Sequence, residues 1–258
     1  MLGAIIGDMC GSVYEFTKHK GKDFNIFENN NVMTDDSLLT IEVARVLLNN
    51  FPIKYDQKSL EKIKKELKIN FSNIVRKMPH IGWGSMFYDW ASGYYRNDFE
   101  PYNSFGNGAG MRISSVGWFA NSEDEVKILS KCITEITHNH IEGILGAEAI
   151  AMSIFMALHG KTKDEIANCV IENYYSSIKY LDYEGLVKNY RFDVTCQGSV
   201  PQAIYCFLIS NSFEDAIKTA ISIGGDTDTI ACMAGAIAEA YYLNDKNTTN
   251  FINKFIIK

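Results

Sequence analysis

Twice along this chain a pair of carboxylates opens an apolar helical run, and that arrangement narrows the folds available to it. Asp226 and Asp228, interleaved with Thr227 and Thr229 and preceded by Gly224 and Gly225, lead into a small-residue apolar stretch reaching Gly235. Thr34, Asp35, Asp36 and Ser37 repeat the chemistry ahead of Leu38, Leu39, Ile41, Val43, Val46 and Leu47. Adjacent carboxylates repel in a shared dry site unless a cation neutralises them. A fold that buries these helices must therefore also supply a polar pocket. Ligand sets made only of oxygen suit Mg²⁺, Mn²⁺ or Ca²⁺ rather than Zn²⁺. The alternative at each site is an Asp or Thr N-cap, which needs one such residue and not a cluster. If the two helix starts face each other, four carboxylates and two threonines share one pocket. That is enough for two carboxylate-bridged metals ~3.5–4 Å apart.

The rest of the chain reads as helix. Gly3, Gly7 and Gly11 recur every fourth residue in an apolar N-terminal run, a spacing that lets a helix approach a neighbour closely. Asp8 and Glu15, seven apart, share a face of that run and suggest a polar interior site. Residues 17–33 are polar and turn-rich and read as a loop leading to Thr34. A helix over residues 56–70 places Leu60, Ile63 and Leu67 on one side and lysines on a solvated face. Ser122 with Glu125, and Thr162 with Glu165, are predicted capping boxes. The stripe from Val126 to Ile136 and the Gly/Ala-rich run from Glu142 to Leu158, ending at Gly160, predict one amphipathic and one central buried helix. Ser199 is expected to cap a helix through Leu208, with Pro201 in its first turn. Short helices over residues 215–221, 228–242 and 248–257 complete the chain, and residues 176–197 carry no pattern that assigns them. Strand-like alternation, repeats of 20–50 residues and a Pro/Ser-rich linker are all missing. The expectation is one all-α domain over residues 1–258, with ten or more helices.

Composition excludes several function classes. With 47% hydrophobic and 22% charged residues the 258-residue chain has an ordinary globular composition. A net charge of -6 lacks the basic face that general nucleic-acid binding needs. Uncharged apolar runs stay short of the ~18 residues that span a bilayer. The N-terminal run has no basic region and meets Asp8, so no signal peptide is expected. The six cysteines have no CxxC spacing and read as small buried hydrophobes in a reducing cytoplasm.

Two further stretches could meet a ligand. Gly106, Gly108 and Gly110 form a turn that opens a helix and could cradle a phosphate through backbone N–H groups, or be a plain flexible loop. His138 and His140, two residues apart, diverge as a metal pair, which leaves His138 a hydrogen-bonding or stacking role at a helix end. Trp83, between Gly82 and Gly84, and Phe105 are the aromatic residues of these glycine-rich stretches.

Gly7-Asp8, Gly11-Ser12 and Glu15, then Met33 to Asp36, Gly106 to Arg112, Thr137-His138, Ser199 to Leu208 and Gly224 to Thr229 occur in an order that resembles the ADP-ribosylglycohydrolases. The resemblance spans residue 3 to about 242. It implies an all-α orthogonal multi-helix domain that holds two Mg²⁺, or Mn²⁺ in some members, and hydrolyses the C1″ glycosidic bond of ADP-ribose on a modified protein. Matched position by position, Thr34, Asp35, Asp36, Asp226, Asp228 and Thr229 resemble the metal ligands. Glu15 resembles a carboxylate tied to catalysis or metal gating, and Asp35 and Asp36 are the other candidates for the base that activates water. Gly106, Asn107 and Gly108 match a pyrophosphate and ribose loop, and Ser104 and Phe105 replace a Ser-Tyr pair before it. His138 matches a ligand-contacting histidine, and Gly82 and Gly84 a second glycine turn near the phosphates.

The resulting expectation is a cytoplasmic, monomeric hydrolase acting on ADP-ribosylated protein or ADP-ribose, with arginine the favoured acceptor and no nucleic-acid or membrane partner. A non-catalytic ADP-ribose binder, and a hydrolase of small ADP-ribosylated metabolites, are the competing readings.

Overall fold

In the computed structural model, which describes residues 1–28, 30–93 and 99–256, the two acid-bearing helices meet at the centre of an all-α fold. The first half of the chain forms α1 (Leu2–Ser12), α2 (Asp35–Asn49), α3 (Gln57–Lys77), α4 (Ser85–Ser92), α5 (Gly108–Met111), α6 (Ser114–Phe119) and α7 (Glu123–Thr134). The second half forms α8 (Ile141–Leu158), α9 (Lys163–Asn173), α10 (Tyr183–Asn189), α11 (Cys196–Leu208), α12 (Phe213–Ser222), α13 (Thr227–Tyr241) and α14 (Lys246–Ile256). Extended pairing among the described residues is limited to one antiparallel bridge, Gly106 with Thr195.

α13 is the axis of the core. Every residue from Thr227 to Ala240 is buried, and the helix touches α1, α5, α8, α11 and α12. Its closest neighbour is α1, and the sequence explains why. A methyl group at Gly3, Gly7 or Gly11 would collide with the backbone carbonyls of Gly235, Ala231 and Thr227 respectively. Small residues every fourth position on both helices thus let two backbones touch, which a larger side chain would prevent. That contact brings Asp8 beside the first turn of α13.

α8 is long and apolar enough to cross a membrane by length and composition. Most of it is buried, however, against α5, α6, α7, α11 and α13, with Ile141 exposed at its start and Glu142, Ile144, Leu145 and Glu148 half-buried on its outer face. Glu142 and Glu148 interrupt its apolar character, and it is a core helix of this fold. Five of the six cysteines are buried and all six are free, as their apolar surroundings predict.

Several local expectations need correcting. α1 stops at Ser12, so Glu15 lies in the turn beyond it rather than on the helical face with Asp8. α3 starts at the Asp56 cap but runs to Lys77, because Phe71 and Val75 continue its buried stripe. Thr195, not Ser199, caps α11, accepting from Gly198 N; the Ser199 hydroxyl donates to the Thr195 carbonyl inside the helix. Pro201 therefore sits beyond the first turn of α11. At Ser122 only half of the capping box forms, because Glu125 turns back to the Asn121 N–H instead. The Thr162–Glu165 box is complete. The unassigned region holds a 3-10 turn, Ser176–Tyr180, and α10. Residue 257, the predicted end of the last helix, lies outside the described residues.

Candidate active site

The two acid clusters do converge. Thr34 is the cap of α2: its hydroxyl oxygen accepts from Asp36 N at 3.3 Å. Asp8, reaching across from α1, secures the same turn. Its Oδ2 accepts from Thr34 N at 3.0 Å and Ser37 N at 3.1 Å, and its Oδ1 from the Thr34 hydroxyl at 2.7 Å. The Ser37 hydroxyl also donates to Asp8. Asp226 is the N-cap of α13 but makes no capping bond with its side chain. Asp228 accepts from its neighbour Thr229 N, at 2.9 Å. Capping therefore explains Thr34 and Asp8 and leaves Asp36, Asp226 and Asp228 for something else.

What joins the helix starts is oxygen facing oxygen. The Thr229 hydroxyl donates to Asp36 Oδ2 at 3.3 Å, while Asp36 Oδ1 is buried with no hydrogen-bond partner among the described residues. Asp8, Asp36 and Asp228 each present an oxygen within 4.8 Å of the others, and so do Glu15, Asp226 and Asp228. The turn that aims Asp226 is a glycine pair with left-handed backbone, Gly224 at φ 69° and Gly225 at φ 82°.

Electrostatics shows what the cluster lacks. Burial, then the charge of Asp228, holds the carboxyls of Glu15 and Asp35 up at about 8. Burial raises Asp226 to about 6. Asp36 and Asp228 lie well above the ordinary carboxylate range, again chiefly from burial and then from neighbouring acids, and Asp8 is raised by burial. Among the described residues no lysine or arginine forms an ion pair with any of these six acids. Six carboxyl groups, hydroxyls from Thr34 and Thr229 and an orphaned carboxylate oxygen fit a hard divalent cation. Asp8 fits it least, since both its oxygens are already used in holding α2.

The cluster forms one end of a cavity of about 410 Å³. Of the residues singled out in the sequence, Glu15, Asp35, Asp36, Asp226, Asp228 and Thr229 line it together with Gly82, Gly84, Ser104, Gly106, Asn107, Gly108 and His138. Thr34 and Asp8 are not among the lining residues, but the Thr34 hydroxyl lies 3.4 Å from Asp36 Oδ2 at the edge of the cluster. Phe105 lies outside the lining, 43% exposed, its ring 5.2 Å from that of His140. Trp83 is a core residue, packed beside Phe87 at 5.8 Å with its indole N–H on the Met78 carbonyl.

The loop over residues 104–108 is more tied down than a flexible turn. Asn107 N donates to Val194 O and Cys196 N to Phe105 O, both at 2.8 Å, so the loop is stitched to the start of α11. With Gly106 N on the Ser104 hydroxyl at 3.1 Å, two N–H groups expected to face a phosphate are already used. The helix it opens, α5, has four residues, too short to concentrate positive charge at its start. The Asn107 side chain instead donates to Asp226 Oδ2 at 2.7 Å, which ties the loop to the acid cluster.

Sequence reasoning missed the Asp8 bonding to α2, the Asn107–Asp226 bond, and Tyr102, Arg112, Phe192 and Val194 in the lining. Only Asp8 had a readable signal, as an acid in an apolar glycine-spaced helix. Phe192 and Val194 fall in the stretch that had no pattern.

Comparison with known proteins agrees with this geometry. A family model described as ADP-ribosylglycohydrolase matches residues 1–244. ADP-ribosylhydrolase ARH3 of Bos taurus is 26% identical over 94% of this chain and 83% of its own length. The Homo sapiens protein of that name is 27% identical over 95% of this chain and 85% of its own. A solved structure titled ADP-ribosylglycohydrolase-related protein complex superposes with a TM-score of 0.68, covering 93% of this chain and 86% of that one at 20% identity, and it shares the fold.

Proposed function

The chain belongs to the ADP-ribosylglycohydrolase family, a family of glycosidic-bond hydrolases that act on ADP-ribosylated substrates, and from that premise we propose how its pocket works. It removes ADP-ribose from modified amino-acid side chains of proteins by cleaving the C1″ bond. Thr34, Asp35, Asp36, Asp226, Asp228 and Thr229 would hold two divalent cations, Mg²⁺ or Mn²⁺. The observation carrying this reading is the single cavity that joins the acid cluster to the Gly106–Gly108 loop and His138. Its size suits a small ligand.

When bound, the cations supply the positive charge that keeps these carboxylates ionised, and oxygen coordination that can orient the ribose hydroxyls. The chain's own residues do the rest. Glu15 stands half-buried beside the cluster, its carboxyl held at about 8. That value is the metal-free one; cations bound beside it would lower it, leaving a carboxylate that can take a proton from the attacking water and return it to the leaving side chain. Asp36, 2% exposed, is too enclosed for that task and acts in holding charge. Cleavage passes through an oxocarbenium-like state, which the surrounding carboxylates stabilise. Asn107 fixes Asp226, and Ser104, Gly106, Gly108, Gly82 and Gly84 shape the walls for the pyrophosphate and ribose.

Arginine is the acceptor we favour, on the strength of the family resemblance. Peptides carrying ADP-ribose on arginine or on serine, incubated with the protein and Mg²⁺, test the proposal. Release of free ADP-ribose from the arginine peptide is expected. Release from serine alone would replace the acceptor, and release from neither would overturn the activity.

A further inference from the structure

His138 lies on the turn after α7, 5% exposed, and its surroundings decide which ring nitrogen carries the proton. Nδ1 is 2.7 Å from the Thr137 hydroxyl and 3.4 Å from Arg112 Nη2. Arg112 Nη2 in turn donates to the Thr137 hydroxyl at 2.6 Å. A guanidinium has five donors and no acceptor, so a proton on Nδ1 would set N–H against the Arg112 N–H, whereas a bare Nδ1 can accept from Arg112 and from the Thr137 hydroxyl, whose oxygen already receives the Arg112 proton. This arrangement favours the proton on Nε2. That nitrogen points at the glycine loop: a methyl group at Gly106 or Gly108 would sit 3.5 Å from it.

Arg112 makes little sense as a stabilising residue. It is fully buried, its guanidinium lies over the rings of Phe71 at 5.2 Å and Phe87 at 5.9 Å, and it pairs with no described carboxylate. Among the described residues its Nε and Nη1 meet no acceptor. A buried cation without a carboxylate partner costs stability that stacking on two rings offsets only in part.

We propose that Arg112 and Thr137 are positioning residues that lock His138 as the neutral Nε2–H tautomer, so that its imidazole donates a hydrogen bond to an oxygen of bound ADP-ribose and never serves as a base. The ligand half of this statement rests on the function proposed above; the tautomer half does not. Burial, reinforced by the Arg112 charge, also keeps the ring far below the ordinary histidine range and therefore uncharged.

Two-bond ¹⁵N–¹H NMR of histidine-labelled protein, read at neutral pH without ligand, reports the tautomer directly. His138 is expected to show protonated Nε2 and bare Nδ1. Thr137→Val should give a tautomer mixture and weaken ADP-ribose binding, measured calorimetrically with Mg²⁺, by about tenfold. Thr137→Ser should keep both properties. Arg112→Met should melt no lower than the parent while losing the single tautomer, which a structural role would not produce. A proton on Nδ1 in the parent, or an unchanged tautomer in Thr137→Val, would overturn the lock. A retained Nε2–H tautomer in a parent that binds no ADP-ribose would instead overturn the ligand reading alone.

Discussion

Asp228→Asn separates a metal ligand from a structural acid, because the two roles give opposite signs for stability. Asp228 belongs to both acid triads, with oxygens within 4.8 Å of its partners. Two unit charges at such a distance repel by about 3–4 kcal/mol at an effective dielectric of ~20. Proton uptake by the cluster relieves part of this, so the net gain from removing one charge in the metal-free protein is about 1–3 kcal/mol. For a chain of this size each kcal/mol moves the melting temperature by about 2–4 °C. The metal-free variant should therefore melt about 2–12 °C above the metal-free parent. Mg²⁺ at ~100 times its Kd adds about 2.7 kcal/mol to the parent, a further rise of roughly 5–10 °C. If losing the charge weakens binding by ~100-fold, the variant keeps about 0.4 kcal/mol of that, a shift of about 1 °C. The assay is a fluorescence melt of chelator-stripped protein at pH 8, with and without Mg²⁺. Equal Mg²⁺ shifts in the two proteins, or a metal-free variant less stable than its parent, would refute the reasoning.

The raised carboxyls also set a pH dependence. Glu15 and Asp35 at about 8 and Asp226 at about 6 keep protons in the folded state that the unfolded chain releases near pH 4. Their stabilising contribution is thus complete at low pH and lost as pH rises from about 4 through 8, by at most ~1.4 kcal/mol per pH unit for each group. Melts of stripped protein should fall across this window and flatten when Mg²⁺ is saturating; a flat metal-free profile would contradict the assignment. Gly7→Ala should cost about 3 kcal/mol or more, because the new methyl meets the Ala231 carbonyl on a helix that cannot retreat. A melting point within a degree of the parent would show that α1 and α13 are not locked by this contact.

The helices and the acid clusters were legible because both depend on local pattern. α8 was readable from its unbroken Gly/Ala-rich apolar run, and α9 from Thr162 and Glu165, signals that complete themselves within a few residues. The convergence of Asp36 and Asp228 was stated only as a condition, since it depends on Gly3, Gly7 and Gly11 matching the small residues of α13 across more than 200 positions of chain. Glycine spacing announces a close approach without naming the partner. Thr195 outranked Ser199 as the cap of α11 because the Gly106–Thr195 bridge holds residue 195 extended, a tertiary cause that no local pattern carries. Asn107 was placed correctly and read incompletely: its glycine neighbours suggested backbone contacts, whereas its side chain was already committed to Asp226. Arg112 gave no signal of its own, because an arginine in a helical stretch is ordinarily exposed.

The site itself is tested most directly by anomalous scattering from crystals soaked in Mn²⁺ and ADP-ribose. The expected result is two manganese peaks about 3.5–4 Å apart between the starts of α2 and α13, with the ribose hydroxyls on them and C1″ facing Glu15. The absence of manganese from the acid cluster, or ADP-ribose bound away from it, would contradict the assignment of this pocket.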